Sequence, residues 1–238
     1  MNINIKDDRR TGFTLIELLI VISIVAILAV ALIFVLNPAE TLKKSRDAQR
    51  ISDLSTLKSA IGIYKTSTTT PQLAGTSNTA CKTGVAGGSY AAGSKIYYSL
   101  ATTTPITDAT LDGGAAGVPA PWQVLSVSST LTDGTGWLPI NLDSLIGGSS
   151  VASLPVDPVN TIASLSAVSG VAIGATPPDY VYRYACNGTS LTYEIDAILE
   201  SDSYTTGTDN KMIKDGGNNA AYYEFGTNLK ILGMGTDF

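Results

Sequence analysis

Residues 18–36 form an apolar run of 19 residues in which Ser23 is the one polar side chain. A helix of about 20 such residues spans the hydrocarbon core of a bilayer. One acid, Glu17, stands just before the run. A carboxylate inside a bilayer segment costs roughly 2.5–3.5 kcal/mol on insertion scales, so it needs a partner or a purpose. Two plain readings come first. The run is a single-span anchor with Glu17 at the interface, or it is a secretory signal with Ala29-Val30-Ala31 as the small-residue cleavage site. Cutting there leaves an apolar end starting near Leu32, and a charge so close to the apolar region fits a signal poorly.

Neither reading accounts for Thr11-Gly12-Phe13-Thr14-Leu15-Ile16-Glu17 at the end of a charged leader. This arrangement closely resembles the start of type IV prepilins and the related pseudopilins of type II secretion. The resemblance implies that residues 1–12 are a leader, removed by a dedicated peptidase between Gly12 and Phe13. It further implies N-methylation of Phe13 and a role for Glu17 in guiding filament assembly. Cleavage creates an amine on Phe13, four residues from Glu17. Two charges in an apolar medium are expensive unless paired. The pair can close within one subunit, or the acid of an incoming subunit can neutralise the amine of its neighbour and set axial register. The resemblance favours the second; the residues alone leave both open. Bases flank the span on both sides, Lys6, Arg9 and Arg10 before it and Lys43, Lys44, Arg46 and Arg50 after it, so charge does not decide orientation. A short leader inside and a Ser/Thr-rich domain outside is the more economical arrangement.

A second pattern starts after Pro38. Leu42, Ala48, Ile51, Leu54, Leu57, Ile61 and Tyr64 fall mostly three or four apart, the mark of one helix face. Lys43, Lys44, Arg46, Asp47, Arg50, Asp53 and Lys58 are expected opposite. Pro38 is either a kink within one helix or the first residue of a second with Asn37 as its cap. Residues 13–64 would measure about 78 Å as helix. The resemblance implies a filament-core half over 13–37 and an amphipathic half over 38–65, followed by a globular head over 66–238.

In the head, Tyr180-Val181-Tyr182-Arg183-Tyr184-Ala185 alternates with three tyrosines on one face, and Leu191-Thr192-Tyr193-Glu194-Ile195-Asp196-Ala197 alternates as well. Asn187-Gly188 between them predicts a hairpin turn. Further strands are expected at 122–127 and 222–225. The class is α+β, a long N-terminal helix packed on a C-terminal antiparallel sheet, and the resemblance makes it pilin-like. Thr- and Ser-rich stretches at 66–79 and 102–105 read as surface loops, with O-linked glycans as one use. Asn187-Gly188-Thr189 also fits an N-glycosylation sequon, but the turn is the better reading.

The chain has two cysteines, Cys81 and Cys186, and no histidine. In an exported domain an even pair reads as one disulfide; the alternative is two unrelated buried thiols. A bond would close a loop of about 105 residues, worth roughly 4–5 kcal/mol in the chain-entropy model. Without histidine there is no Ser/His/Asp set, and there is no C-x-x-C pair. Gly88-Ser89-Tyr90-Ala91-Ala92-Gly93-Ser94-Lys95 misses the phosphate-loop order, because Lys must directly follow the second Gly. No enzymatic activity is expected. The formal charge is −5 and becomes −6 once residues 1–12 are removed, which disfavours nonspecific nucleic-acid binding.

Leu154-Pro155-Val156-Asp157-Pro158 resembles a stretch that precedes the paired strands of the major pseudopilin. An acidic loop follows the hairpin, with Glu200, Asp202, Asp209 and Asp215. Such oxygen ligands suit calcium, and major pseudopilins bind calcium in a loop at this place. The alternative is a solvated loop that keeps an acidic protein soluble. The expected function is a structural subunit of a type IV pilus or pilus-like filament, serving adhesion, motility or DNA uptake. Its implied partners are other copies of itself, the prepilin peptidase, an inner-membrane assembly platform, an assembly ATPase and, before assembly, membrane lipid. A pseudopilin of a secretion system is the main alternative, and a monomeric membrane-anchored binding domain the outsider.

Overall fold

The computed structural model describes residues 12–82, 95–100, 130–162 and 180–232. The chain divides into two units, Met1–Leu42 and Lys43–Phe238. In the first unit, helix α1 (Leu15–Leu36) is apolar on every side beyond Glu17, and its side chains over residues 15–33 stand exposed. Ser23 Oγ donates to the Leu19 carbonyl at 2.7 Å, so the one hydroxyl in the run is satisfied inside the helix. Asn37 ends α1 in the left-handed region, φ 37°, where asparagine is tolerated better than most residues. Helix α2 (Pro38–Ser67) begins at the next residue. Proline is thus the first residue of a second helix, and Asn37 Oδ1 accepts from the Glu40 N–H at 3.4 Å.

In the second unit, α2 buries Asp47, Arg50, Asp53, Leu54, Leu57, Ala60, Ile61 and Tyr64. The lower half of this stripe matches the expected apolar face. The upper half does not: Asp47, Arg50 and Asp53 were expected outside and are buried, while Leu42 and Ala48 are exposed. The reason lies in what each turn meets, because the first two turns of this part of α2 meet charged partners from distant segments.

Four strands form one antiparallel sheet in the order β1 (Tyr97–Tyr98), β2 (Arg183–Asn187), β3 (Thr192–Ala197), β4 (Tyr223–Gly226). Tyr97 pairs with Tyr184, Cys186 with Tyr193, and Ile195 with Phe225. One face supplies Tyr97, Tyr182, Tyr184, Cys186, Tyr193, Ile195 and Ala197 to the core shared with Leu54, Leu57 and Ile61 of α2. The other face is covered too: Tyr98, Val181 and Ala185 pack with Ile96, Ile231 and Leu232. Alternation along β2 therefore separates two buried layers rather than core from solvent.

The hairpin differs in detail from the expected two-residue turn. Asn187 still pairs with Thr192, so residues 188–191 form the loop. Asn187 Oδ1 accepts from the N–H groups of Thr189 and Ser190 at 2.9 and 3.1 Å, and the positive φ falls on Leu191. Gly188 is needed for another reason: a Cβ there would meet Asn78 O at 3.1 Å and Cys81 Cβ at 3.4 Å. Segment 78–82 runs against this strand end, with Lys82 N donating to Cys186 O at 2.7 Å and Gly188 N to Lys82 O at 2.9 Å. Cys81 and Cys186 are disulfide-bonded, their Cα atoms 4.8 Å apart. The pair therefore ties the segment after α2 to the sheet. Strand β4 lies where 222–225 was expected; the strand expected at 122–127 lies outside the described residues. The fold is α+β, a long apolar N-terminal helix and a C-terminal antiparallel sheet.

Candidate functional site

The N-terminal candidate residues lie on one turn. Thr14 is the N-cap of α1, with extended backbone, and its Oγ1 accepts from the Glu17 N–H at 3.2 Å. Glu17 Oε2 returns the contact, accepting from the Thr14 N–H at 3.0 Å and from its hydroxyl at 2.8 Å. This is a capping box, and it satisfies backbone donors that no carbonyl of the helix can reach. It also holds the carboxylate at the start of the helix, over the residue next to Phe13. Phe13 is 82 % exposed. A Cβ on Gly12 would meet nothing within 4 Å, so the fold itself places no demand for glycine there. Any demand comes from a molecule that reads this peptide. The helix behind it offers a window of 19 residues, Leu15–Ile33, long and apolar enough to cross a membrane by length and composition, with none of it buried.

In the second unit, the charged stretch of α2 forms a buried cluster. Arg50 is fully buried. Its Nε and Nη2 donate to the two oxygens of Asp157 at 2.6 and 2.9 Å, and its Nη1 donates to Asp47 at 2.8 Å and pairs with Glu200 at 2.6 Å. Arg46 also grips Glu200 with Nε at 2.8 Å and Nη2 at 2.5 Å. Asp47 in turn accepts from the backbone N–H groups of Glu200 and Ser201 at 2.8 to 3.1 Å. Asp157 accepts from Val159 and Asn160 N–H as well. Burial works to raise the Glu200 pKa, but the bonds and charges of Arg46 and Arg50 outweigh it and hold it below the ordinary value. Burial likewise opposes the charge on Arg50, and Asp157 and Glu200 outweigh it, so its pKa stands raised. One turn on, Tyr182 donates to Asp53 at 2.8 Å.

The acids of the expected calcium loop have partners of their own in the fold. Glu200 faces two arginines. Asp209 pairs with Lys211 at 3.0 Å. Asp215 accepts from the N–H groups of Gly217 at 2.9 Å and Glu224 at 2.8 Å. Asp202 opens a four-residue helix, α3 (Asp202–Thr205). The structure does not bring the four together, and among the described residues no group of three or more acidic, thiol or imidazole side chains is arranged to hold a metal ion.

Sequence reasoning missed a second charged layer, on the far face of the sheet. Arg183 is buried and binds Asp196 across the hairpin, Nε to Oδ1 at 2.8 Å and Nη2 to Oδ2, and stacks on the Tyr222 ring at 3.8 Å. Glu194 Oε2 accepts from the N–H groups of Ile231 and Leu232 at 2.7 and 2.8 Å. Glu224 Oε2 accepts from Asn219 N–H at 2.8 Å. Burial pushes the carboxyl of Glu194 well up, with Glu224 and Asp196 adding to it. Burial also raises Glu224, to about 7, with Asp196 and Asp215 contributing, although its bond with Glu194 works the other way. In the sequence, Glu194 and Asp196 show only as polar positions alternating with Tyr193 and Ile195, a pattern that does not tell solvent from a second buried layer.

No curated protein and no solved structure matches the chain. Residues 7–33 match the family model of the prokaryotic N-terminal methylation motif. That match spans the leader end, the Thr14–Glu17 cap and the apolar helix together, so this protein carries the N-terminal signature of the type IV pilins and pseudopilins.

Proposed function

We propose that the protein is a structural subunit of a type IV pilus or pilus-like filament. It starts as a single-pass precursor in the cytoplasmic membrane, is cut between Gly12 and Phe13, is methylated on Phe13, and polymerises through its apolar helix. The carrying observation is the motif match over residues 7–33 on a helix whose apolar side chains have no cover of their own. In a filament, copies of this helix bury one another, and Glu17 of each incoming subunit neutralises the Phe13 amine of its neighbour. The working partners are other copies of the chain, a prepilin peptidase, a membrane assembly platform and an assembly ATPase, with bilayer lipid in contact before assembly. The outward work of such a fibre is adhesion, motility or DNA uptake.

A second reading, a pseudopilin of a type II secretion system, draws on residues 154–158. Their resemblance to the major pseudopilin coincides with Asp157 serving as the buried clamp of Arg50. The test of the common core is the intact N-terminus of protein from native membranes or sheared fibres, read by mass spectrometry. A chain starting at methylated Phe13 supports export by the pilin route. A start at Met1 indicates a simple anchor and one near Leu32 an ordinary secreted protein; either ends the filament reading. Material recovered in sheared surface fibres rather than in the periplasm separates pilus from pseudopilus.

A further inference from the structure

The head holds a cleft of about 590 Å³ between the end of α2, the turn that follows it and the loop at 133–144. That volume lies within the range of about 300–1,000 Å³ usual for ligand sites. Tyr97 lines it and is 7 % exposed, and its hydroxyl takes no hydrogen bond from the described residues. Burial alone pushes that phenol up to about 12. A hydroxyl that opens to a cleft and takes no bond from the fold around it can donate to a ligand there. Around it, polar groups and apolar faces share the lining. Asp133 Oδ1 is held by the Thr135 N–H at 2.9 Å and its hydroxyl at 2.6 Å, and these bonds keep the carboxyl below its ordinary pKa. Its Oδ2 takes no bond from the described residues. Asn141 Oδ1 accepts from Ser144 N–H at 3.0 Å, which leaves its amide N–H groups to an outside acceptor. Gln72 is pinned through its backbone by the Tyr64 hydroxyl, at 3.1 and 3.4 Å, and its side-chain amide is likewise unengaged.

The lining names the ligand class by its chemistry. Among the described residues, no lysine or arginine lines the cleft, so a phosphate, sulfate or carboxylate would meet Asp133 with no cation there to balance it. Pro139 and the two tyrosine rings give the cleft, among the described residues, its main apolar faces, set between polar groups, an arrangement suited to stacking on a ring that also carries polar edges. Unused donors (Tyr97, Asn141, Gln72) and unused acceptors (Asp133, Gln72) share one concave surface with ring faces. Such a mixture matches a molecule whose every edge both donates and accepts. We propose that this cleft binds a neutral sugar ring, with Asp133 accepting from a pair of adjacent hydroxyls and Tyr97 donating to a third oxygen.

The test uses the full chain in zwitterionic detergent micelles, because alkyl maltosides carry sugar heads that would compete. Glucose, galactose, mannose and N-acetylglucosamine are added separately, and saturation transfer from protein to sugar is read by NMR. At least one sugar is expected to receive saturation, and Tyr97→Phe and Asp133→Asn each weaken its binding about 3- to 10-fold, the effect of losing one hydrogen bond. Tyr97→Phe is expected to melt no lower than the parent by circular dichroism, because its hydroxyl takes no bond from the described residues. The proposal is overturned by no transfer to any of these sugars, by transfer that both variants leave unchanged, or by stronger transfer to methylammonium than to the sugars. A Tyr97→Phe variant that melts several degrees lower overturns it too, by showing that the hydroxyl already has a partner within the protein. None of these outcomes depends on the filament reading.

Discussion

Arg50 holds both carboxylate oxygens of Asp157, 107 residues further along the chain, at 2.6 and 2.9 Å, and both side chains are fully buried. The remaining guanidinium nitrogen, Nη1, meets Asp47 and Glu200, so one cation bonds acids from three segments, with Arg46 sharing Glu200. Removing one partner of a buried pair destabilises by roughly 3–5 kcal/mol, because it leaves charge buried and uncompensated. Arg50→Met is therefore expected to lower unfolding stability by about that amount in chemical denaturation of the solubilised protein. A loss below about 1 kcal/mol would show that the cluster does not fasten α2 to the head.

The capping box separates two roles of Glu17. Glutamine at this position keeps the helix-start hydrogen bonds but carries no charge, whereas alanine loses both, with a cap worth about 1 kcal/mol. Glu17→Gln and Glu17→Ala are both expected to insert into the membrane normally, and both to reduce filament yield. Normal fibres from the glutamine variant, counted by electron microscopy, would sink the idea that charge sets register.

Gly12 has open space around its Cα, so a side chain there leaves the fold intact. Gly12→Asp is expected to accumulate in membranes at precursor length with an unchanged circular dichroism spectrum. A band of mature length from this variant would remove the peptidase step.

The buried pair Glu194 and Glu224 gives the head an unusual pH dependence. Glu224 has an ordinary value of 4.5 and stands at about 7 in the fold, and Glu194 is raised in the same direction. The folded state therefore binds more protons than the unfolded chain between those values, so stability falls as pH rises. Lys82 favours the ionised form of Glu194, while Asp196 and Asp215 disfavour ionisation of the pair. The Glu224 contribution is complete below about 4.5 and is lost as pH climbs through about 7. Glu200 runs the opposite way: its pKa is lowered, so its contribution is present above 4.5 and disappears as pH falls through the lower folded value. The melting temperature is expected to peak on the acid side of neutrality, near the 4.5 boundary, and Glu224→Gln to flatten the decline between pH 5 and 7. A melting temperature that rises from pH 5 to pH 7 would contradict this assignment.

The disulfide spans 105 residues of sequence. Losing a native bond of this kind typically costs about 2–5 kcal/mol in a small exported domain. The double variant Cys81→Ser, Cys186→Ser is expected to unfold at correspondingly lower denaturant, and reduction of the parent to add the mass of two hydrogens. An intact mass that does not change on reduction excludes the bond in the native protein.

Some of this architecture was legible because its cause is local. The span, an interruption at Asn37-Pro38 and the Thr192–Ala197 strand each follow from side chains within a few positions of one another, whereas the equally local Thr14–Glu17 cap went unread because Glu17 was taken as an assembly residue. Backbone geometry and helix-end chemistry act at that range. The apolar lower half of α2 was legible for the same reason, since a stripe at helical spacing needs only some core to face.

Other features were decided by tertiary structure alone. Asp47, Arg50 and Asp53 read as a solvated face because an unpaired buried charge is prohibitively costly, and their partners Asp157, Tyr182 and Glu200 lie 107 to 153 residues away. The two-residue strand Tyr97–Tyr98 exists only because β2 offers it an edge. Gly188 was read as turn chemistry, yet its small size serves the close approach of Asn78 and Cys81. Charge itself was plain from composition. Whether a given charge meets water or an opposite charge depends on which distant segments the folded chain brings against it, and that pairing fixed which side of α2 lies inside.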